Sequence, residues 1–258
     1  MMKKLLLVTA VSLISQLATA QYHETISTDR PGQAFAPLTT GQNVFQIQTG
    51  FTYLDFEQTS PDQKGDYLKY TVALRYGILE NFEIQSAFGL RRDKITFGDQ
   101  SSTLLDGVSL WNVGIRYNLL DGDGAKPSFA IKTDVDLTWV DEDYRSQEIA
   151  PRLMLIHAQK LSETFGLTTN WSVSWNGNDI HPTGTYVINV SFPVAGKLSG
   201  YIENYGEVYS GDFDTRWDTG LAYLLNKDLM ADFSTGFGRN DRLTDWFIDF
   251  GISWRVRL

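Results

Sequence analysis

From Val44 to the last residue, apolar and polar positions alternate in stretches of about ten residues, each closed by Gly, Asp, Asn or Pro. The final stretch, Trp246 to Leu258, is the clearest: every even position is large and apolar, and most odd positions are polar, charged or glycine. A period of two is the signature of a β-strand with one face in an apolar medium and the other in a wet one. Twelve strands are expected, at 43–54, 67–76, 82–91, 108–118, 128–140, 149–159, 165–176, 185–193, 198–208, 214–225, 229–239 and 245–258. Tight connectors (77–81, 120–127, 160–164, 193–197, 226–228) alternate with longer, more polar ones (55–66, 92–107, 141–148, 177–184, 209–213, 240–244). This grammar predicts an all-β, up-and-down antiparallel transmembrane barrel of about twelve strands, with turns at one rim and loops at the other. An even strand number puts both termini at the turn rim, the periplasmic one in such barrels.

The aromatic positions test that expectation. On the apolar register Tyr53, Trp111, Trp139, Trp175, Trp217 and Trp246 fall at the loop ends of their strands. Tyr76, Phe82, Tyr117, Phe129, Phe165, Phe192, Tyr223 and Trp254 fall at the turn ends. Two belts on the outward face are what anchoring at two membrane interfaces requires. A secreted β-sandwich would gather its aromatics mid-strand in a shared core; strands 149–159 and 198–208, which alternate poorly, are its best support.

The opposite register defines a lumen. It carries Lys69, Arg75, Glu83, Arg91, Arg116, Lys132, Asp134, Asp136, Arg152, Glu203, Arg216, Asp218, Asp232, Asp249, Arg255 and Arg257, with both signs interleaved. Such a lining reads either as a ladder of ion pairs bracing a narrow barrel or as a selectivity lining for a polar or anionic solute. Twelve strands fall between barrels filled by side chains and wide aqueous porins, so a slender or partly plugged channel is expected.

Residues 1–20 read as an export signal: Lys3 and Lys4, the apolar run Leu5–Leu17, then Ala18-Thr19-Ala20 as a cleavage site. Residues 21–42 are too rich in Thr, Gly and Pro to extend the sheet. They are expected to form an N-terminal periplasmic segment that either docks as a lumen plug, with Asp29, Arg30 and Phe35 to hold it, or stays a flexible tail. The first twenty residues hold two of the 22 Lys and Arg and none of the 31 Asp and Glu; the rest therefore carries 20 against 31, a net −11. So acidic a chain argues against nucleic acid as a partner. With no cysteine and three scattered histidines, neither a disulfide frame nor a transition-metal site is expected.

Outer-membrane phospholipase, a twelve-stranded barrel, uses a Ser-His-Asn site with its His two residues before the Ser. Here His23-Glu24-Thr25, His157-Ala158-Gln159 and His181-Pro182-Thr183 offer no such serine. Asp121-Gly122-Asp123-Gly124 has Lys132 where a calcium loop would close with Glu, so it reads as a turn. Asp134 and Asp136 share one face like a carboxylate pair, but Lys132 beside them points to charge balance. Asp141-Glu142-Asp143 reads as a solvated charge run at a loop tip. No catalytic, cofactor or metal residue is expected.

Thr28-Asp29-Arg30-Pro31, Gly41 and the strand Gln46-Ile47-Gln48-Thr49-Gly50-Phe51 resemble the outer-membrane barrel family labelled "MetA-pathway of phenol degradation". The resemblance continues through Leu74-Arg75-Tyr76-Gly77-Ile78, Asn81-Phe82-Glu83 and Tyr201-Ile202-Glu203-Asn204-Tyr205-Gly206. It closes with Asp218-Thr219-Gly220-Leu221-Ala222-Tyr223 and Gly251-Ile252-Ser253-Trp254-Arg255. It implies an outer-membrane transporter for small, often hydrophobic or aromatic, compounds in a Gram-negative bacterium. Its partners would be outer-membrane lipids and lipopolysaccharide, a small-molecule solute and the barrel-assembly machinery. The Leu258 terminus departs from the usual final aromatic, leaving Trp254 to serve in that signal. The opposed reading is a structural or surface barrel whose lumen is closed by ion pairs, and an outer-membrane lipase comes third.

Overall fold

The computed structural model describes residues 24–59, 62–123, 125–239 and 243–258. The expected export signal and His23 lie outside them. Twelve antiparallel strands form one closed barrel in which every strand pairs with its sequence neighbours and β1 closes on β12. They are β1 Val44–Thr59, β2 Asp62–Leu79, β3 Phe82–Phe97, β4 Thr103–Leu120, β5 Ser128–Asp136, β6 Ala150–Lys160, β7 Gly166–Ser174, β8 Thr183–Ala195, β9 Leu198–Tyr209, β10 Asp212–Asn226, β11 Leu229–Arg239 and β12 Leu243–Arg257. A single turn of 3-10 helix, Glu142–Tyr144, is the helical element among the described residues. Closure leaves no strand edge unpaired, which is the condition for a sheet to sit in hydrocarbon.

Two of the expected long loops are in fact ladder. β1 and β2 continue in register to Thr59↔Asp62, and β3 and β4 reach Ile95↔Thr103. Residues 55–59, 62–66, 92–97 and 103–107 were not legible as strand because polar residues fall on both of their faces. Once a hairpin rises out of the membrane it is wet on both sides, so alternation vanishes while hydrogen bonding persists. β5 errs the other way and stops at Asp136 rather than 140. Beyond it Leu137 and Asp141 still donate backbone hydrogen bonds to β4, at the carbonyls of Trp111 and Val108. At the opposite rim β2, β4, β8 and β10 each end in a bulge beside their tight turn, and Pro193 directly precedes the one in β8.

Burial is inverted relative to a water-soluble fold. Arg75, Glu83, Arg116, Lys132, Asp134, Glu203 and Asp218 are buried, whereas Phe51, Trp217, Phe250 and Ile252 are about half exposed. A continuous apolar outer band of that size needs lipid against it. Aromatics rim the band: Trp111, Trp139, Trp217 and Trp246 toward the loops, Tyr117, Phe165, Tyr223 and Trp254 toward the turns, all exposed. Trp246 and Trp254 are eight residues apart on β12, about 27 Å along the strand. At a tilt near 40° this gives roughly 20 Å of height, close to the apolar band of an outer-membrane barrel.

Candidate functional site

The residues before β1 run through the barrel. They enter at the turn rim, where the Ile26 N–H donates to Lys227 O (2.8 Å) and Arg255 donates to Glu24 O (3.2 Å). They leave it at Gly41–Asn43, where the Asn43 N–H reaches Gly77 O (2.9 Å). Between these points the backbone has no ladder partner, and its polar groups must be satisfied by side chains of the wall.

The wall meets that requirement residue by residue. The Gln48 amide oxygen accepts from the Asp29 N–H (3.2 Å), and Glu203 accepts from the N–H groups of Gln33 (2.7 Å) and Ala34 (3.1 Å). Asn170 accepts from the Phe35 N–H (2.7 Å) and donates back to its carbonyl (3.0 Å), imitating a strand neighbour. Arg116 donates to the carbonyls of Ala36 and Leu38, Arg75 donates to Leu38 O, and Asn118 donates to Pro37 O. Glu83 accepts from the Thr40 N–H (2.7 Å).

Charge fastens the segment at two adjacent residues that reach stretches of the wall on either side of β1. Asp29 bonds Arg116 (2.6 Å) and lies 3.5 Å from Arg75, both on the β2–β4 wall. Arg30 bonds Asp232 (3.0 Å) and Asp249 on β11 and β12. Its guanidinium lies in a slot floored by the cross-strand pair Gly50 and Gly251, where a Cβ on either glycine would collide with it. Gly32 has φ +89°, and a Cβ there would stand 2.9 Å from the Tyr201 ring, so this position suits glycine on both conformational and steric grounds. Phe35 packs on a hydrophobic cluster of Ala130, Met154 and Ile156. Lys132, Arg116 and Arg152 surround its ring at 4.8, 5.8 and 5.9 Å from the centroid, within cation–π range.

The predicted lumen residues all occupy the inward register, and most fall in five groups. Arg75, Glu83, Arg116, Lys132 and Asp134 form a belt across β2–β5: Glu83 lies 2.9 Å from Arg75 and 3.6 Å from Arg116, while Asp134 bonds Lys132 and, at 2.7 Å, Arg152. Asp232 and Asp249 hold Arg30. Glu203 and Asp218 face each other across β9 and β10 with no arginine or lysine bonded to either among the described residues, and both Asp218 oxygens are buried without a hydrogen bond. Toward the loops, Arg91 pairs with Asp93 and stacks 3.9 Å above the Tyr67 ring, Arg216 bridges Asp214 (2.8 Å) and Asp245 (2.9 Å), and Asp136 faces Asn112. At the turn rim Arg255 bonds Asp228 (2.9 Å).

Several contributing residues escaped the sequence reading. Asp93 and Asp245 lay in presumed loop or at a strand start. Gln48, Asn118 and Asn170 carry no charge to draw notice, although the period-two register does point them inward. Loop chemistry also closes over the top: the Tyr144 hydroxyl donates to Asp93 (2.6 Å), and its proton is held more tightly than usual by burial and by that carboxylate.

Two cavities flank the segment. One of about 440 Å³ lies on its loop side, lined by Arg30, Tyr67, Lys69, Tyr205, Arg216 and Phe247 among others. The second, of about 360 Å³ on its turn side, is lined mainly by small neutral side chains such as Thr28, Ala34, Thr168 and Ala222. Arg30 borders both.

The catalytic alternatives gain nothing from the geometry. His157 faces outward against Phe129, its Nδ1 3.3 Å from the Thr169 hydroxyl, and His181 is an exposed loop residue beside Asp179. Among the described residues no group of three or more His, Cys, Asp or Glu could hold a metal ion. Asp141 caps the Val108 N–H rather than standing free at a loop tip.

Comparison with solved structures agrees with the architecture. The outer membrane channel COG4313 from Pseudomonas putida F1 matches with a TM-score of 0.70 over 89% of this chain and 100% of that one, at 9% identity. The translocator domain of the autotransporter NalP from Neisseria meningitidis matches at 0.54 over 84% and 89%, at 14% identity. KdgM porin, solved with disordered oligogalacturonate, matches at 0.51 over 80% and 98%, at 12% identity. At such identities the likeness is one of fold. No curated protein matches the chain in sequence. A family model does, over residues 28–256, opening on the Thr-Asp-Arg-Pro run that anchors the lumen segment, and the chain therefore belongs to the family described as "Putative MetA-pathway of phenol degradation".

Proposed function

We propose that this protein is an outer-membrane channel or transporter for small molecules, with residues 24–42 acting as a lumen plug that solutes must pass or displace. The observation that carries this is the pair of cavities lined by the segment, with Arg30 bordering both. The apolar, aromatic-rimmed outer wall supports placement in the outer membrane against lipid and lipopolysaccharide. The turn rim, with both termini, would then face the periplasm, after export, signal cleavage near Ala20 and insertion by the barrel-assembly machinery. Family membership and the porin and channel neighbours support a solute that is small and, by the family's description, aromatic or hydrophobic. The lumen carries paired charges rather than a nucleophile with its base, which supports permeation rather than catalysis.

A structural barrel with a permanently closed lumen is the second reading, favoured by the fully buried Arg116–Glu83–Arg75 cluster. Single-channel recording in planar bilayers separates the two. The channel reading expects discrete conductance steps from the refolded protein, and larger ones from a chain lacking residues 21–42. A barrel that stays electrically silent in both forms would sink it.

A further inference from the structure

The loop-side cavity contains a cation, Lys69, that makes no direct ion pair with a described residue. Lys69 projects inward from β2 between Thr52 on β1 and Arg91 on β3, its register partners. Arg91 beside it is paired with Asp93, and the two carboxylates that line the same cavity are already bonded elsewhere, Asp249 to Arg30 and Thr52 and Asp245 to Arg216. The Lys69 ammonium has no hydrogen bond or ion pair to any described residue. The hydroxyls of Tyr67 and Tyr205, which line the same cavity, also have no partner among the described residues. Three unpaired donors therefore converge on one space, together with the faces of Tyr67, Tyr205 and Phe247.

A half-buried ammonium is costly unless an anion pairs with it, and a bound solute can supply one where the wall does not. The aromatic faces and Leu54 suit a flat apolar body. At about 440 Å³ the space falls within the usual range for small-molecule sites.

We propose that this cavity is a binding site for an aromatic carboxylate, its anionic group on Lys69 and the two tyrosine hydroxyls and its ring against Phe247. The assignment rests on the channel reading and names the solute class that such a channel would take.

Calorimetric titration of the full-length protein in detergent tests it without requiring conduction. Benzoate is expected to bind more tightly than benzyl alcohol, acetate or benzylammonium. Lys69→Met should weaken benzoate by about tenfold or more, the loss of one charge-assisted partner. The same substitution should leave benzyl alcohol nearly unchanged, while Lys69→Arg should retain benzoate. Folding of each variant is checked by its heat-dependent gel mobility. Equal benzoate affinity in Lys69→Met and the native protein, or tighter binding of benzylammonium than of benzoate, would overturn the site. Benzoate binding by a barrel that never conducts would leave the site standing and remove the channel reading. Conductance without benzoate binding would do the reverse.

Discussion

The Arg30 slot offers a clean perturbation, because it can be closed from the wall without touching any charge. Gly251→Ala adds one methyl to β12, and that methyl occupies the volume of the Arg30 guanidinium. Alanine is at least as good a strand residue as glycine, so the ladder itself should gain slightly, by roughly 0.5–1 kcal/mol. Arg30, however, must withdraw and leave Asp232 and Asp249 without their cation. Their side chains are 0% and 12% exposed, and breaking a buried pair on one side costs about 3–5 kcal/mol. The adjoining cavity gives Asp249 access to water, which favours the lower end, so a net loss near 2–3 kcal/mol is expected.

Urea unfolding in lipid vesicles measures this, and a double-mutant cycle with Arg30→Ala isolates the cause. Arg30→Ala alone should cost a similar amount. In the Arg30→Ala background Gly251→Ala should then be neutral or mildly stabilising, because nothing remains to collide with. Additive losses would refute the reasoning, since they would mean that Gly251→Ala acts on the strand and not through Arg30.

On the wall, Val113→Arg, which faces outward, should cost about 2–4 kcal/mol in vesicles, while Ser172→Arg, pointing inward from β7, should cost much less; equal costs would mean that the register is misread. Asp29→Ala removes the carboxylate shared by Arg75 and Arg116. It should loosen residues 24–42, raise single-channel conductance and shift selectivity toward anions, and unchanged reversal potentials would count against a plug held at that point. In the loop before β8, the Asp179 carboxyl is held below its ordinary 3.8 by the Tyr209 hydroxyl, then by the His181 N–H and Asn176. Order contributed by those bonds is therefore fully present above pH 4 and is lost as pH falls through the lowered value. Proteolysis of loop 175–182 by an acid-stable protease should accelerate over that window, and Tyr209→Phe should move the onset to higher pH.

Much of the architecture is readable without coordinates, for a reason seen in β12. Trp246, Ile248, Phe250, Ile252 and Trp254 alternate with Asp245, Asp249 and Arg255 because lipid and lumen demand opposite chemistries on successive residues. That contrast assigns strand, face and rim together. It fails where the environment becomes uniform, as at Asp55–Thr59 and Arg92–Phe97, which are strand in the structure but wet on both sides. It fails also for neutral inward residues such as Gln48 and Asn170, whose importance depends on a backbone brought to them from more than a hundred residues away in the case of Asn170.

The sequence by itself therefore determined a twelve-stranded barrel, its outward and inward registers, and a Thr-Asp-Arg-Pro segment carrying groups able to dock, since each follows from local periodicity or residue chemistry. Only the tertiary structure decided which charges meet. Closure of the barrel sets β2–β4 and β11–β12 on either side of β1, around one narrow lumen. Asp29 and Arg30, adjacent in the chain, are thereby drawn to different stretches of the wall, and Lys69 is left without an ion pair among the described residues. Pairing across a lumen depends on diameter and stagger, properties of the closed sheet that no stretch of ten residues contains.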